Sequence, residues 1–236
     1  MKGEHLAKTT DGGNSWDFLT NLPTGICAIA IDPQNPSTIY FGDSSSFYRG
    51  GTWGWQKTLS SGTQATDIWV NPSNSDIILL ATTNSEAGPY EHVQGLLPAG
   101  MDCYRVIFTR SLTLASDPND DNTIYVGTKD NGYVLRSTDS GKINTWHLFS
   151  PGGEWVDEVL DIEVDSNSKL YAATSSGLMK RAGSAWTNLT RGGHLWSVYF
   201  TGSNTGWAVG SSGTIVKTTD GGNTWTRQTS GIFPPT

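Results

Sequence analysis

The sequence predicts an all-β fold of radially repeated four-stranded units, a β-propeller of about six blade positions with the first one partial. Three observations predict it. A nine-residue segment recurs along the chain, the tryptophans that close it are spaced by nearly constant intervals, and each tryptophan is followed by two short apolar runs separated by turn residues.

The recurring segment comes first. Lys8-Thr9-Thr10-Asp11-Gly12-Gly13-Asn14-Ser15-Trp16 returns almost unchanged as Lys217-Thr218-Thr219-Asp220-Gly221-Gly222-Asn223-Thr224-Trp225. A third copy, Arg136-Ser137-Thr138-Asp139-Ser140-Gly141-Lys142-Ile143-Asn144-Thr145-Trp146, carries two extra residues, and degenerate copies end at Trp55 and Trp186. Asp and its neighbouring hydroxyls can accept backbone N–H bonds within a tight hairpin loop, and glycines allow positive φ there. The closing Trp packs a large ring against its sheet. Asp11, Gly13, Trp16, Asp139, Gly141, Trp146, Asp220, Gly222 and Trp225 are therefore read as structural.

The spacing sets the unit. Trp16 to Trp55 is 39 residues, Trp146 to Trp186 is 40 and Trp186 to Trp225 is 39, while Trp55 to Trp146 is 91, two periods plus an insertion. A period of about 40 filled with short strands is one blade. The apolar pairs keep the same phase. They are Ala28–Ile31 with Ile39–Gly42, Asp67–Val70 with Ile77–Ala81, Leu112–Leu114 with Ile124–Gly127, Ile162–Asp165 with Leu170–Ala172, and Val198–Phe200 with Gly206–Gly210. Asp, Pro, Asn and Gly bound each pair, as hairpins require.

Residues 1–236 thus read as one domain. The first repeat begins at residue 8, so the two inner strands of that blade are missing. Three readings follow: residues 231–236 help close the ring, the chain is a piece of a larger protein, or a second copy supplies the closure. The last predicts self-association through the incomplete first blade, because open sheet edges invite pairing.

Composition bounds the function classes. The chain has 236 residues, with 28 glycines, 36% hydrophobic residues and only 16% charged, too aromatic for disorder and too rich in turn residues for a helical protein. A net charge of −7 weighs against nucleic acid as a partner. No apolar run reaches the length of about 18 residues that spans a membrane, and residues 1–8 lack a signal-peptide core. Cys27 and Cys103 are read as buried thiols. The four histidines show no ligand spacing, and Asp117-Pro118-Asn119-Asp120 reads as a plain turn, so neither a metal nor a cofactor is expected.

The recurring segment resembles the Asp-box, or BNR, repeat, roughly Ser-x-Asp-x-Gly-x-Thr-Trp, and the resemblance covers nearly the whole chain. Thr205 to Gly222 is most similar to the photosystem II assembly factor type, and Asp32 to Gly42 to the xyloglucanase and sortilin types. The sialidase type is echoed only by Tyr104-Arg105-Val106-Ile107, without its proline, so Arg105 reads as a strand residue. The resemblance implies that the Asp-box lies between the third and fourth strands and that ligands bind on the opposite face of the channel. Loops there that combine aromatics, carboxylates and histidine nominate Tyr90, Glu91, Trp155, Asp157, Glu158, His194 and Trp196 as ligand-binding residues. The reading that follows is a non-catalytic binding or scaffolding propeller that recognises a protein or a glycan, acting outside the cytoplasm. The alternatives are a carbohydrate-active glycoside hydrolase of the xyloglucanase type, or a fragment of one, and an assembly factor for a membrane complex.

Overall fold

The computed structural model describes residues 6–19, 22, 24–51, 54–60, 64–83, 91–92, 102–106, 111–142, 145–149, 158–190 and 193–229. β1 (Leu6–Lys8) and β2 (Asp17–Leu19) form a two-stranded hairpin, blade 1. Blade 2 is β3 (Ala28–Ile31), β4 (Ile39–Gly42), β5 (Ser46–Gly51) and β6 (Gly54–Ser60). Blade 3 contains β7 (Ala65–Val70), β8 (Ile77–Thr82), β9 (Glu91–His92) and β10 (Asp102–Val106). Blade 4 is β11 (Ser111–Asp117), β12 (Asp120–Thr128), β13 (Val134–Ser137) and β14 (His147–Leu148). Blade 5 is β15 (Val159–Val164), β16 (Leu170–Thr174), β17 (Gly177–Ala182) and β18 (Ala185–Asn188). Blade 6 is β19 (Leu195–Phe200), β20 (Gly206–Gly210), β21 (Thr214–Thr218) and β22 (Thr226–Arg227).

Blades 2, 4, 5 and 6 are antiparallel meanders in chain order. Blade 3 is ordered β7-β8-β10-β9, with β10 parallel to β8. A parallel pair needs a long crossover in place of a tight turn. The insertion seen between Trp55 and Trp146 supplies it, since it falls between β8 and β10. Arg105 lies in β10.

In blades 2 to 5 the turn between the first and second strand is closed by one side chain. Asp32 Oδ1 accepts from the backbone N–H groups of Gln34 and Asn35, Asn71 Oδ1 from Ser73 and Asn74, Asp117 Oδ1 from Asn119, and Asp165 Oδ1 from Asn167 and Lys169. These are Asx turns, so Asp117 shapes a plain hairpin as its sequence suggests.

The core lies between blades. Four apolar clusters fill the junctions from blade 2 to blade 6. Along each first strand one set of alternate residues packs towards the preceding blade, including Ile68, Leu114, Ile162 and Val198. The same pattern leaves both ends of the row uncovered. On blade 2, Ile29 and Ile31 are 46% and 57% exposed. On blade 6, Tyr199 and Val209 are 59% and 37% exposed. Trp16 is 56% exposed, and only its own ring approaches Gly13, whereas Trp146 and Trp225 pack into junctions.

Cys27 corrects one expectation. It is a free thiol but exposed, because it precedes β3 at the uncovered front of blade 2, where Sγ meets Gly25 O and Gln64 Nε2. The side chain of Cys103 and residues 231–236 lie outside what is described.

Candidate functional site

In blades 4 and 6 the loop that carries the recurring Asp-Gly segment joins the third and fourth strands. In blade 6, Asp220 Oδ1 accepts from Thr218 Oγ1, Asn223 N and Thr224 N, and Oδ2 accepts from Thr224 Oγ1 at 2.6 Å. Thr218 Oγ1 accepts in turn from Gly222 N at 2.9 Å. Blade 1 repeats this clasp around Asp11, with Thr9 and Ser15 in the same roles. These hydrogen bonds favour the ionised form. They hold Asp220 at about 2 and Asp11 lower still, with the hydroxyl of Thr224 or Ser15 as the largest cause. In blade 4 the two extra residues move Thr145 out of reach. Ser137 Oγ still accepts from Gly141 N, but Asp139 binds Lys142 Nζ at 2.7 Å and Thr145 Oγ1 donates to Lys142 O.

The segments of blades 4 and 6 are seated on the preceding blade. A Cβ on Gly222 would lie 2.7 Å from Tyr171 Cε1, and Tyr171 donates its hydroxyl hydrogen to Gly221 O at 2.8 Å. A Cβ on Gly141 would lie 2.7 Å from Leu79 Cδ1. Tyr125, in the same second-strand register, packs with Trp186 of the degenerate repeat. Gly141, Gly222 and Trp186 thus each meet a second-strand residue of a neighbouring blade.

On the opposite face, the nominated residues whose side chains are described are Glu158, His194 and Trp196. Glu158 stands before β15 and pairs with Lys129 of blade 4 at 3.4 Å. His194 stands before β19 and occupies the corresponding position of the next blade. Trp196 sits at a β-bulge in β19 between Leu195 and Ser197 and is 57% exposed. Three other first strands have a bulge at this point, around Thr66, Leu112 and Leu160, which are all half-buried. Glu91 lies in the outer strand β9, without a described side chain, and Tyr90, Trp155 and Asp157 lie outside the described residues.

The residue after each bulge carries chemistry that the sequence reading missed. Asp67, Thr113, Asp161 and Ser197 share one register on four successive first strands. Asp67 accepts from Ile68 N of its own strand and from Leu114 N of the next blade at 2.7 Å. Asp161 accepts from Ile162 N, Thr113 Oγ1, Ser197 Oγ and Val198 N. Two residues on, Glu163 Oε1 accepts from Phe200 N. Burial is the largest influence on all three. It raises Asp67 to about 6, Glu163 to about 7 and Asp161 in the same direction, against the opposing pull of the N–H donors. The signal was present as Asp-Ile-Trp-Val and Asp-Ile-Glu-Val, but period-two alternation assigns such carboxylates to solvent.

Among the described residues no three His, Cys, Asp or Glu side chains are grouped to hold a metal, and no helix is long and apolar enough to cross a membrane.

Comparison with known proteins decides the architecture. No family model matches the sequence, and no curated protein does. Solved structures do match. An ancestral GH74 enzyme aligns over 89% of this chain and 32% of its own, with a TM-score of 0.69 at 16% identity. The GH74 enzyme of Niastella koreensis aligns over 86% of this chain and 38% of its own, with a TM-score of 0.62 at 18% identity. The extracellular domain of a one component system of B. thetaiotaomicron aligns over 86% and 28%, with a TM-score of 0.62 at 14% identity. The fold is a β-propeller. The chain spans about a third of the length of the GH74 enzymes it matches, and at these identities the likeness concerns the propeller alone.

Proposed function

We propose that this propeller is a non-catalytic binding or scaffolding module that recognises a protein or a glycan on the face opposite the Asp-boxes. Trp196 carries the reading. At the bulge where other blades place Thr66, Leu112 and Leu160 half-buried, this blade stands an indole 57% exposed, with His194 two residues away. An exposed indole is an expensive surface residue and an effective platform for a sugar ring or an aromatic side chain. The innermost carboxylates support a structural part for themselves, because Asp67, Asp161 and Glu163 each accept a backbone N–H from the following blade. The extracellular domain among the similar structures supports action outside the cytoplasm.

The test is a titration of intrinsic fluorescence with neutral oligosaccharides and with a peptide library, on the parent and on Trp196→Ala. Saturable quenching in the parent, weakened at least about tenfold in the variant, is expected for a stacking contact of about 1.4 kcal/mol or more. Equal affinity in both would remove Trp196 from the site.

The alternative, a carbohydrate-active hydrolase or a fragment of one, draws on the GH74 likeness and on Glu163, whose carboxyl at about 7 suits a general acid. It expects reducing ends to be released from xyloglucan and the release to be abolished by Glu163→Gln.

A further inference from the structure

A groove of about 570 Å³ opens on the Asp-box side, the opposite rim from Trp196. Its charged lining is entirely basic: Arg136 from blade 4, and Lys169, Lys180 and Arg181 from blade 5. This is four of the fifteen Lys and Arg of a chain whose net charge is −7. Like charges gathered in a half-enclosed space repel one another and are held there at a cost unless an anion joins them.

The geometry is organised. The guanidinium carbon of Arg181 stands over Phe149, 3.5 Å from the ring centroid, and that of Arg136 stands 4.9 Å from the same centroid. Arg181 also donates to Phe149 O. The phenyl ring thus gathers two guanidinium groups at one end of the groove, and paired guanidinium groups suit bidentate oxyanion contacts. At the other end Lys180 Nζ donates to Gly221 O at 2.8 Å and stands 5.5 Å from the Tyr171 ring, and Lys169 Nζ approaches the same Gly221. Asp120, Asp165 and Asp220 act on these groups from the surrounding loops and Asp117 acts on Tyr125, but none of the four lines the groove. Each is engaged elsewhere: Asp117 by Ser168 and Asn119, Asp120 by Thr123, Asp165 by Asn167 and Lys169 N–H groups, and Asp220 by Thr224.

We infer that this groove is a binding site for an acidic oligosaccharide, one that carries carboxylate or sulfate groups along a short chain. The two cation pairs fit two oxyanions, and the space is of the size that holds a small ligand. Ser168 and Asn223 on the lining add hydroxyl and amide groups suited to sugar hydroxyls. An extended acidic peptide is the poorer fit, because it binds through a free strand edge. The strands that carry the arginines have none, since β13 lies between β12 and β14 and β17 between β16 and β18.

The experiment is calorimetric titration of the full chain with an oligogalacturonate, a heparin-derived hexasaccharide, a neutral cello-oligosaccharide and a hexaglutamate peptide. The variants are Arg136→Gln, Lys169→Gln, their double and, for the opposite face, Trp196→Ala. Either acidic saccharide should bind, and which of the two binds tighter identifies the oxyanion. Affinity should fall about tenfold from about 20 mM to about 150 mM salt, as screening of several ion pairs requires. It should fall at least tenfold again in the double variant and be unchanged in Trp196→Ala. Retained thermal midpoints of the glutamine variants show that the loss is local. No binding of either acidic saccharide, equal binding of the neutral one, preference for hexaglutamate, or binding insensitive to Arg136 and Lys169 would each overturn the assignment.

Discussion

Asp11, Asp139 and Asp220 occupy one position of one motif, yet they do not hold the same things. Asp220 gathers two hydroxyls and two backbone N–H groups, while Asp139 holds a lysine on the surface. Local loops closed by a carboxylate lose their shape when it is removed, whereas an exposed ion pair contributes little. Asp220→Ala should therefore lower the thermal midpoint clearly more than Asp139→Ala, and equal midpoints would refute the distinction. The glycines make a second contrast. Gly12 and Gly222 both have φ near +72°, but only Gly222 faces a neighbour at contact distance. Chemical denaturation should show Gly12→Ala costing about 1 kcal/mol and Gly222→Ala about 2–4 kcal/mol, because the second adds a clash with Tyr171 to the backbone strain. The motif itself was fully legible in the sequence, because its hydrogen bonds are local. The consequence of the two extra residues before Trp146 was not, since it depends on which N–H groups stay within reach of Asp139.

At the scale of a strand, the unexpected finding is the carboxylate after the first-strand bulge. A first strand has a free edge, and Asp67 and Asp161 cover part of that edge by bonding to the next blade. Burial has a measurable consequence. For a carboxyl whose folded-state pKa is raised, the folded state binds the proton more tightly. The related stability is fully present below about pH 4 and is lost as pH rises through about 6 for Asp67 and about 7 for Glu163. Urea unfolding should thus show a loss on the order of 1–2 kcal/mol between about pH 5 and about pH 8, partly removed in Glu163→Gln, which keeps an acceptor for Phe200 N. A flat profile would mean that these groups are solvated. The pairing of apolar runs predicted every first and second strand of blades 2 to 6. It did not predict that the polar members of those strands face the following blade, because alternation within a strand says which residues share a face but not what covers it. Nor did it predict the parallel β10, which follows from the length of an insertion with no pattern of its own.

At the scale of the molecule, the four filled junctions and the two bare faces share one pattern. Ile29 and Ile31 occupy the register buried in later blades as Ile68, Ile162 and Val198, and Tyr199 and Val209 occupy the register that covers them. Apolar faces of this kind associate. Light scattering should find a species heavier than 25.4 kDa that grows with concentration, and Ile29→Lys with Tyr199→Lys should return it to the monomer. Because both residues are exposed, these changes should alter stability by less than about 0.5 kcal/mol. A monomer at all concentrations in the parent would show that the faces are covered within one chain. The repeat period made the row of blades legible, but the period is the same whether or not a ring is complete.

The seating of the blade 4 and blade 6 boxes on the preceding blade also sets an order in time. Tyr171 lies earlier in the chain than Gly222, and Leu79 earlier than Gly141, so a ribosome delivers each receiving surface before the loop that settles on it. Blades can then be added one after another, each on a finished neighbour, with contacts that seldom reach back more than two blades. The box of Asp11 alone runs against this sequence. It precedes all five four-stranded blades in chain order, whereas Trp207, the residue in the Tyr171 register of blade 6, lies 196 positions after Asp11.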